Sequence, residues 1–69
     1  MKVWLFTYVN HGASEDINGV YSTAEKAFEG ALKEYRLPID AWVREEGLNG
    51  YYFYRQGEAW LVSPWTVDE

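Results

Sequence analysis

The sequence predicts an α+β domain: a single antiparallel β-sheet of about five strands, in the order ββαβββ along the chain, with one α-helix packed on one face. Short runs of alternating β-branched and aromatic residues predict the strands. One stripe of apolar residues at helical spacing predicts the helix, and turns that contain Gly, Pro or Asn separate these segments. The 69 residues are enough for one domain, spanning residues 1–69.

The first two strands are predicted at residues 2–9 and 17–21, on either side of a polar loop. We expect them to pair antiparallel because the loop between them is short. Gly19 lies within the second strand and marks a candidate β-bulge.

The helix is predicted over residues 23–36. Ser22 and Glu25 fit the capping-box pattern, in which each side chain binds a free backbone amide at the start of the helix. Pro38 ends the helix at about Arg36. The predicted buried stripe comprises Ala24, Ala27, Phe28, Ala31, Leu32 and Tyr35.

The remaining strands are predicted at residues 39–46, 51–55 and 59–62, with turns at 47–50 and 56–58. Asn49 and Gly50 have the preference for positive φ that tight hairpins require. Pro64 lacks a backbone donor, which favours an edge strand or a strand end, and residues 65–67 would extend that edge beyond a kink.

The aromatic content predicts a binding surface. The chain has four Trp, six Tyr and three Phe, whereas a domain of this size buries only about 60% of the surface that its unfolded chain exposes. One helix covers one sheet face. Some rings are therefore expected to face solvent or a partner.

Alternation along the strands sorts the residues into two faces. The mainly aliphatic set is predicted to pack under the helix: Val3, Leu5, Thr7, Val9, Ile39, Ala41, Val43, Tyr51, Phe53 and Leu61. The opposite set mixes rings with charged neighbours, as partner-facing surfaces do, and its predicted partner-binding residues are Trp4, Phe6, Tyr8, Trp42, Tyr52, Tyr54 and Trp60. Alternatively, the C-terminal tail or the first loop closes this face, or two copies bury it in a homodimer.

Charge narrows the class of partner. Eleven acidic against six basic residues give a net charge of -5, which argues against nucleic acid, since phosphate binding depends on Lys and Arg. We expect Asp40, Glu45, Glu46 and Glu58 to meet a protein with a basic surface. The alternatives are a merely solubilising charge and, because rings can stack on bases, single-strand nucleic-acid binding.

The residue types give no support to catalysis, a metal or a cofactor. There is no Cys and one His, which excludes Cys-based zinc sites and His-rich sites. His11 and Ser14 share one loop and do not form a converged catalytic set, and the acidic pairs lack the spacing of a calcium loop. With no signal peptide and no apolar run of about 20 residues, we expect a non-enzymatic protein of the cytoplasm that does not enter membranes.

The segment of residues 19–27, a strand leading into a capped helix, resembles a pattern common in small phage and prophage proteins. The later meander, with Asn49-Gly50 and residues 57–60, is similar in order to small anti-CRISPR proteins that combine a sheet with one helix. The resemblance implies a phage-encoded inhibitor that acts in the host cytoplasm by sterically blocking a host or defence complex. The alternative is an obligate homodimer whose core is the aromatic sheet face.

Overall fold

The computed structural model describes residues 1–10 and 15–67, and it confirms the predicted α+β fold. The described elements are β1 (Lys2–Asn10), β2 (Glu15–Tyr21), α1 (Ala24–Tyr35), β3 (Val43–Glu45), β4 (Gly50–Arg55) and β5 (Glu58–Thr66). Two short 3-10 turns, Ile39–Ala41 and Glu46–Leu48, lie on either side of β3.

The five strands form one antiparallel sheet in the order β2-β1-β5-β4-β3. The nine-residue strands β1 and β5 are neighbouring inner strands and pair along their whole length. Beyond this pair, the backbone N–H of Val67 donates to the carbonyl oxygen of Met1 at 2.8 Å. The first and last strands of the chain are therefore the centre of the sheet.

Helix α1 begins one residue later than the capping box predicted. Thr23, not Ser22, is the N-cap, and its Oγ1 accepts a hydrogen bond from the backbone N–H of Lys26 at 3.2 Å. Thr23 is extended, with φ -139°, while its carbonyl already accepts from Ala27 at 3.3 Å. These two bonds define the half-helical position of an N-cap, so the assignment to Ser22 was wrong.

The predicted end of the helix at Arg36 is confirmed. Arg36 adopts the left-handed conformation, with φ 57°, and its N–H donates to the carbonyl of Leu32 at 2.9 Å. This reversal points the next residue, Leu37, into the core, where it is fully buried. Leu32, which the apolar stripe placed in the core, is 47% exposed.

The third strand is shorter than predicted. Residues 39–46 were expected to be extended, but the chain first makes the turn Ile39–Ala41, and β3 covers Val43–Glu45 alone. Trp42 lies between them and packs on Phe28 of α1 with 5.1 Å between ring centroids. Residues 39–42 therefore help to cover the sheet, and the chain then joins the edge of the sheet as β3.

Strand β5 is longer than predicted and passes through Pro64 without ending. It is an inner strand, so of the two predicted positions, an edge strand or a strand end, the edge strand is wrong; Pro64 lies two residues before the end of β5 at Thr66. Its pairing with β4 extends as far as Tyr51 opposite Val62, and Pro64 pairs with Trp4 of β1. The missing N–H therefore breaks no hydrogen bond to β4.

Candidate functional site: the open sheet face

The pairing register determines which residues share a face of the sheet. Phe6 and Tyr51 both lie opposite Val62, and Phe53 lies opposite Trp60. Directly opposed residues point to the same side. These positions define the covered face, formed by Trp4, Phe6, Tyr8, Tyr21, Tyr51, Phe53, Trp60 and Val62.

Helix α1 packs on the covered face, which corrects the predicted assignment. Phe6 and Trp60 have no exposed surface, and Ala27 and Ala31 of the helix are equally buried. The predicted exposed rings Trp4, Phe6, Tyr8, Trp42 and Trp60 all belong to this core or pack against it. Large rings bury more area than aliphatic side chains, and small helix residues let them approach closely.

Part of this error comes from the hairpin between β4 and β5, which sets which residues of β4 share a face with those of β5. Arg55 pairs directly with Glu58, so the loop has two residues, Gln56 with φ 31° and Gly57 with φ 82°. The sequence interpretation used a three-residue turn at 56–58 instead. A shift of one residue moves every side chain to the other face. Phe53 consequently lies opposite Trp60 rather than Leu61.

Trp60 is the centre of the covered face. Its ring lies 5.4 Å from Tyr8, 5.7 Å from Tyr35 and 5.8 Å from Phe53 between centroids, and the Arg55 guanidinium lies 5.0 Å from its ring centre. These tilted and edge contacts are favourable geometries for aromatic pairs. The rings predicted to bind a partner thus stabilise the domain itself.

Glu58, one of the predicted partner-binding acids, is occupied within the chain. It accepts a hydrogen bond from the Tyr8 hydroxyl at 2.9 Å and lies 3.5 Å from Arg55. The hydrogen bond to Glu58 raises the pKa of Tyr8, because ionised Tyr8 would lose its donor and face a carboxylate. Burial raises the pKa of neighbouring Tyr35.

The other three predicted acids are exposed. Asp40 lies in the turn Ile39–Ala41, Glu45 ends β3, and Glu46 begins the turn that follows. Among the described residues, no group of His, Cys, Asp or Glu could hold a metal ion. His11 and Ser14 lie outside the described residues.

The second side of the sheet, here called the open face, is apolar. By register its positions are Val3, Leu5, Thr7, Val9, Glu15, Ile17, Val20, Val43, Glu45, Gly50, Tyr52, Tyr54, Ala59, Leu61, Ser63 and Trp65. Within residues 1–10 and 15–67 no helix or strand packs over it. Of the predicted binding rings, Tyr52 and Tyr54 are here.

Several large apolar side chains on the open face are well exposed. Ile17, Val20, Val43, Tyr54 and Trp65 have between 48% and 69% of their surface accessible. The bulge between β1 and β2 makes this possible, since the register shift that leaves out Asn18 puts both Ile17 and Val20 on this side. Among the described side chains of the open face, Glu45 is the charged one.

The two ends of the open face differ in shape. At one end is a cleft of about 330 Å³, lined by Val9, Tyr54, Gly57, Glu58 and Ala59. At the other end is Trp65, which is 56% exposed and whose indole N–H donates to the Ser63 hydroxyl at 3.2 Å. Ala59 and Trp65 both belong to β5 and lie roughly 20 Å apart along it.

Comparison with family models, curated proteins and solved structures found no match to this chain. The resemblance to phage and anti-CRISPR proteins therefore stays a prediction. In the part of the chain that the structure describes, no helix has the length and apolar character needed to cross a membrane.

Proposed function

We propose that this chain is a non-enzymatic protein-binding module that associates with another protein through the open face. The observation that carries the proposal is the set of exposed apolar side chains on four of the five strands of this face: Ile17 and Val20 of β2, Val43 of β3, Tyr54 of β4 and Trp65 of β5. At about 3.3 Å per residue and about 4.8 Å between strands, a sheet of this size presents roughly 500 Å² per face. The apolar part of this face is smaller, because Thr7, Glu45 and Ser63 also lie on it, and contiguous apolar patches of a few hundred Å² on a monomer are often functional.

The chemistry of the open face suits a protein partner. Tyr52, Tyr54 and Trp65 are of the residue types that dominate the binding energy of protein interfaces. No described side chain on this face is Lys or Arg, and a nucleic-acid platform requires such cations to neutralise phosphates. The rings that suggested base stacking lie mostly on the covered face. Protein binding is therefore better supported than nucleic-acid binding.

Steric inhibition of a host complex is a narrower form of the same proposal. A domain that docks by one flat face blocks whatever the partner needs that surface for. Asp40, Glu45 and Glu46 are exposed and would be available to basic residues of such a partner. This form keeps the predicted mechanism but moves the binding rings to the open face.

A capture experiment with matched variants tests the proposal. The tagged chain, the variant Tyr54→Lys and the control Leu32→Lys are each mixed with bacterial lysate that also contains a second, differently tagged copy of the chain. Tyr54 is 69% exposed on the open face, whereas Leu32 is 47% exposed on α1. We expect the wild-type chain and the control to retain a protein that Tyr54→Lys loses. Identical capture by all three would refute binding through the open face.

A further inference from the structure

We infer that the protein bound by the open face is a second copy of this chain, in a two-fold dimer with the two sheets packed face to face. This inference rests on the proposed function. Two sheets stack about 10 Å apart in β-sandwiches. With roughly 500 Å² from each copy, the dimer buries at most about 1,000 Å² in total, which is the size of a weak, reversible interface and below the roughly 1,200–2,000 Å² of a stable one.

The distribution of charge favours a second copy over a basic partner at this face. The open face has one described charged side chain, Glu45, whereas α1 on the other side of the molecule exposes acids and bases that nearly cancel, Glu25, Lys26, Glu29, Lys33 and Glu34. Face-to-face packing keeps those side chains on the outside of the dimer. Apolar surface then meets apolar surface, and burying charges without partners, which is costly, is largely avoided.

A two-fold axis would bring the two different ends of the open face, the cleft and Trp65, against each other. The two-fold axis lies between the two sheets, runs perpendicular to the strands, and passes near the level of Val62. It reverses the strand direction of the second copy. Val62 lies midway between Ala59 and Trp65 along β5. Each Trp65 then lies over the partner's cleft beside Val9, Tyr54 and Ala59. A two-fold interface makes this contact twice.

Sedimentation of the purified full chain over a wide micromolar range tests the dimer. We expect the wild-type chain to be dimeric at high concentration and to dissociate on dilution. Trp65→Lys and Tyr54→Lys change opposite ends of the face, and each should raise the dissociation constant about 30-fold or more, which is about 2 kcal/mol. The control Leu32→Lys should dimerise like the wild type, and circular dichroism checks that every variant is folded.

A second measurement uses Trp fluorescence and does not depend on destabilising variants. Trp4, Trp42 and Trp60 pack in the core in the monomer, whereas Trp65 is exposed. We expect the emission of the wild-type chain to shift to shorter wavelength as concentration rises, and Trp65→Phe to lose this shift.

The outcomes separate the dimer from the proposed function. A wild-type chain that stays monomeric overturns the dimer, and the proposed function still stands if Tyr54→Lys loses a captured lysate protein. A dimer that persists in both Lys variants also overturns the inference, because association then uses another surface. Both proposals fail if the open-face variants change neither self-association nor capture.

Discussion

The two faces of this sheet are formed by the same strands but differ in what covers them. The covered face contains rings packed under α1, Leu37 and Trp42, and two of its rings have no exposed surface. The open face contains aliphatic side chains with Tyr52, Tyr54 and Trp65, several of them more than half exposed. The helix thus packs on the face with the larger rings, where more surface is buried, although that face also has the more polar ring types Trp and Tyr.

Substitution of a buried ring on the covered face is expected to have the largest effect on stability. Trp60→Ala removes the centre of the covered face and should destabilise the fold by about 3–5 kcal/mol. A domain this small has little more stability than that, so we expect the variant to be largely unfolded in water. Urea unfolding followed by circular dichroism measures the change.

Trp65→Ala is the matched control on the open face. Trp65 is 56% exposed, and substitutions at exposed positions usually change stability by about 0.5 kcal/mol or less. The measurement is made at a concentration where the chain is monomeric. Equal losses for Trp60→Ala and Trp65→Ala would contradict the assignment of the two faces.

The hairpin between β4 and β5, which sets the register of these two strands, offers a second test. Gly57 has φ 82°, a conformation that strains any residue with a Cβ, so Gly57→Ala should cost about 1 kcal/mol. At Gly47 an added Cβ meets nothing within 4 Å, and Gly47→Ala should leave the free energy of unfolding nearly unchanged. Urea unfolding of the pair checks this. If both variants matched the wild type, the two-residue loop would not constrain the register.

Unfolding at several pH values tests the contribution of the Tyr8–Glu58 hydrogen bond to stability. The pKa of Tyr8 in the folded protein is raised above its ordinary value of 10.0, which applies to the unfolded chain. At a pH between the unfolded and the folded pKa, the folded state therefore binds more protons than the unfolded state. Stability from this contact is therefore complete below pH 10 and is lost as pH rises through the pKa of folded Tyr8. We expect Tyr8→Phe to be less stable than the wild type at neutral pH and to lose less stability above pH 10. Urea unfolding at several pH values measures both slopes, and parallel slopes would exclude the contact with Glu58 as their cause.

The predictable parts of the fold depend on local interactions. The amphipathic stripe and Pro38 predicted one helix that ends at Arg36, and alternating residues predicted three of the five strands close to their observed bounds, with β5 predicted too short. The third strand was overestimated because Trp42 packs on Phe28, a contact between distant parts of the chain. Leu37 was missed for a similar reason, since its burial follows from the left-handed turn at Arg36.

The candidate site was harder to predict than the fold. Tyr52 and Tyr54 were assigned to the exposed face correctly, but five other predicted rings lie on the covered side. The open-face residues Ile17, Val20 and Trp65 were not proposed. One signal was present in the sequence: a two-residue Gln56-Gly57 loop pairs Arg55 with Glu58 and hence Phe53 with Trp60.

The order of elements, the single helix and its end could be predicted from the amino-acid sequence, because they depend on residue type and on neighbours along the chain. Tertiary structure alone decided which sheet face is buried. That choice depends on the register of β4 on β5 and on the fit between large rings and the small residues Ala27 and Ala31. Alternation along a strand predicts which of its residues share a face, but not which face is buried. A register shift of one residue moves every side chain of the shifted strand to the other face.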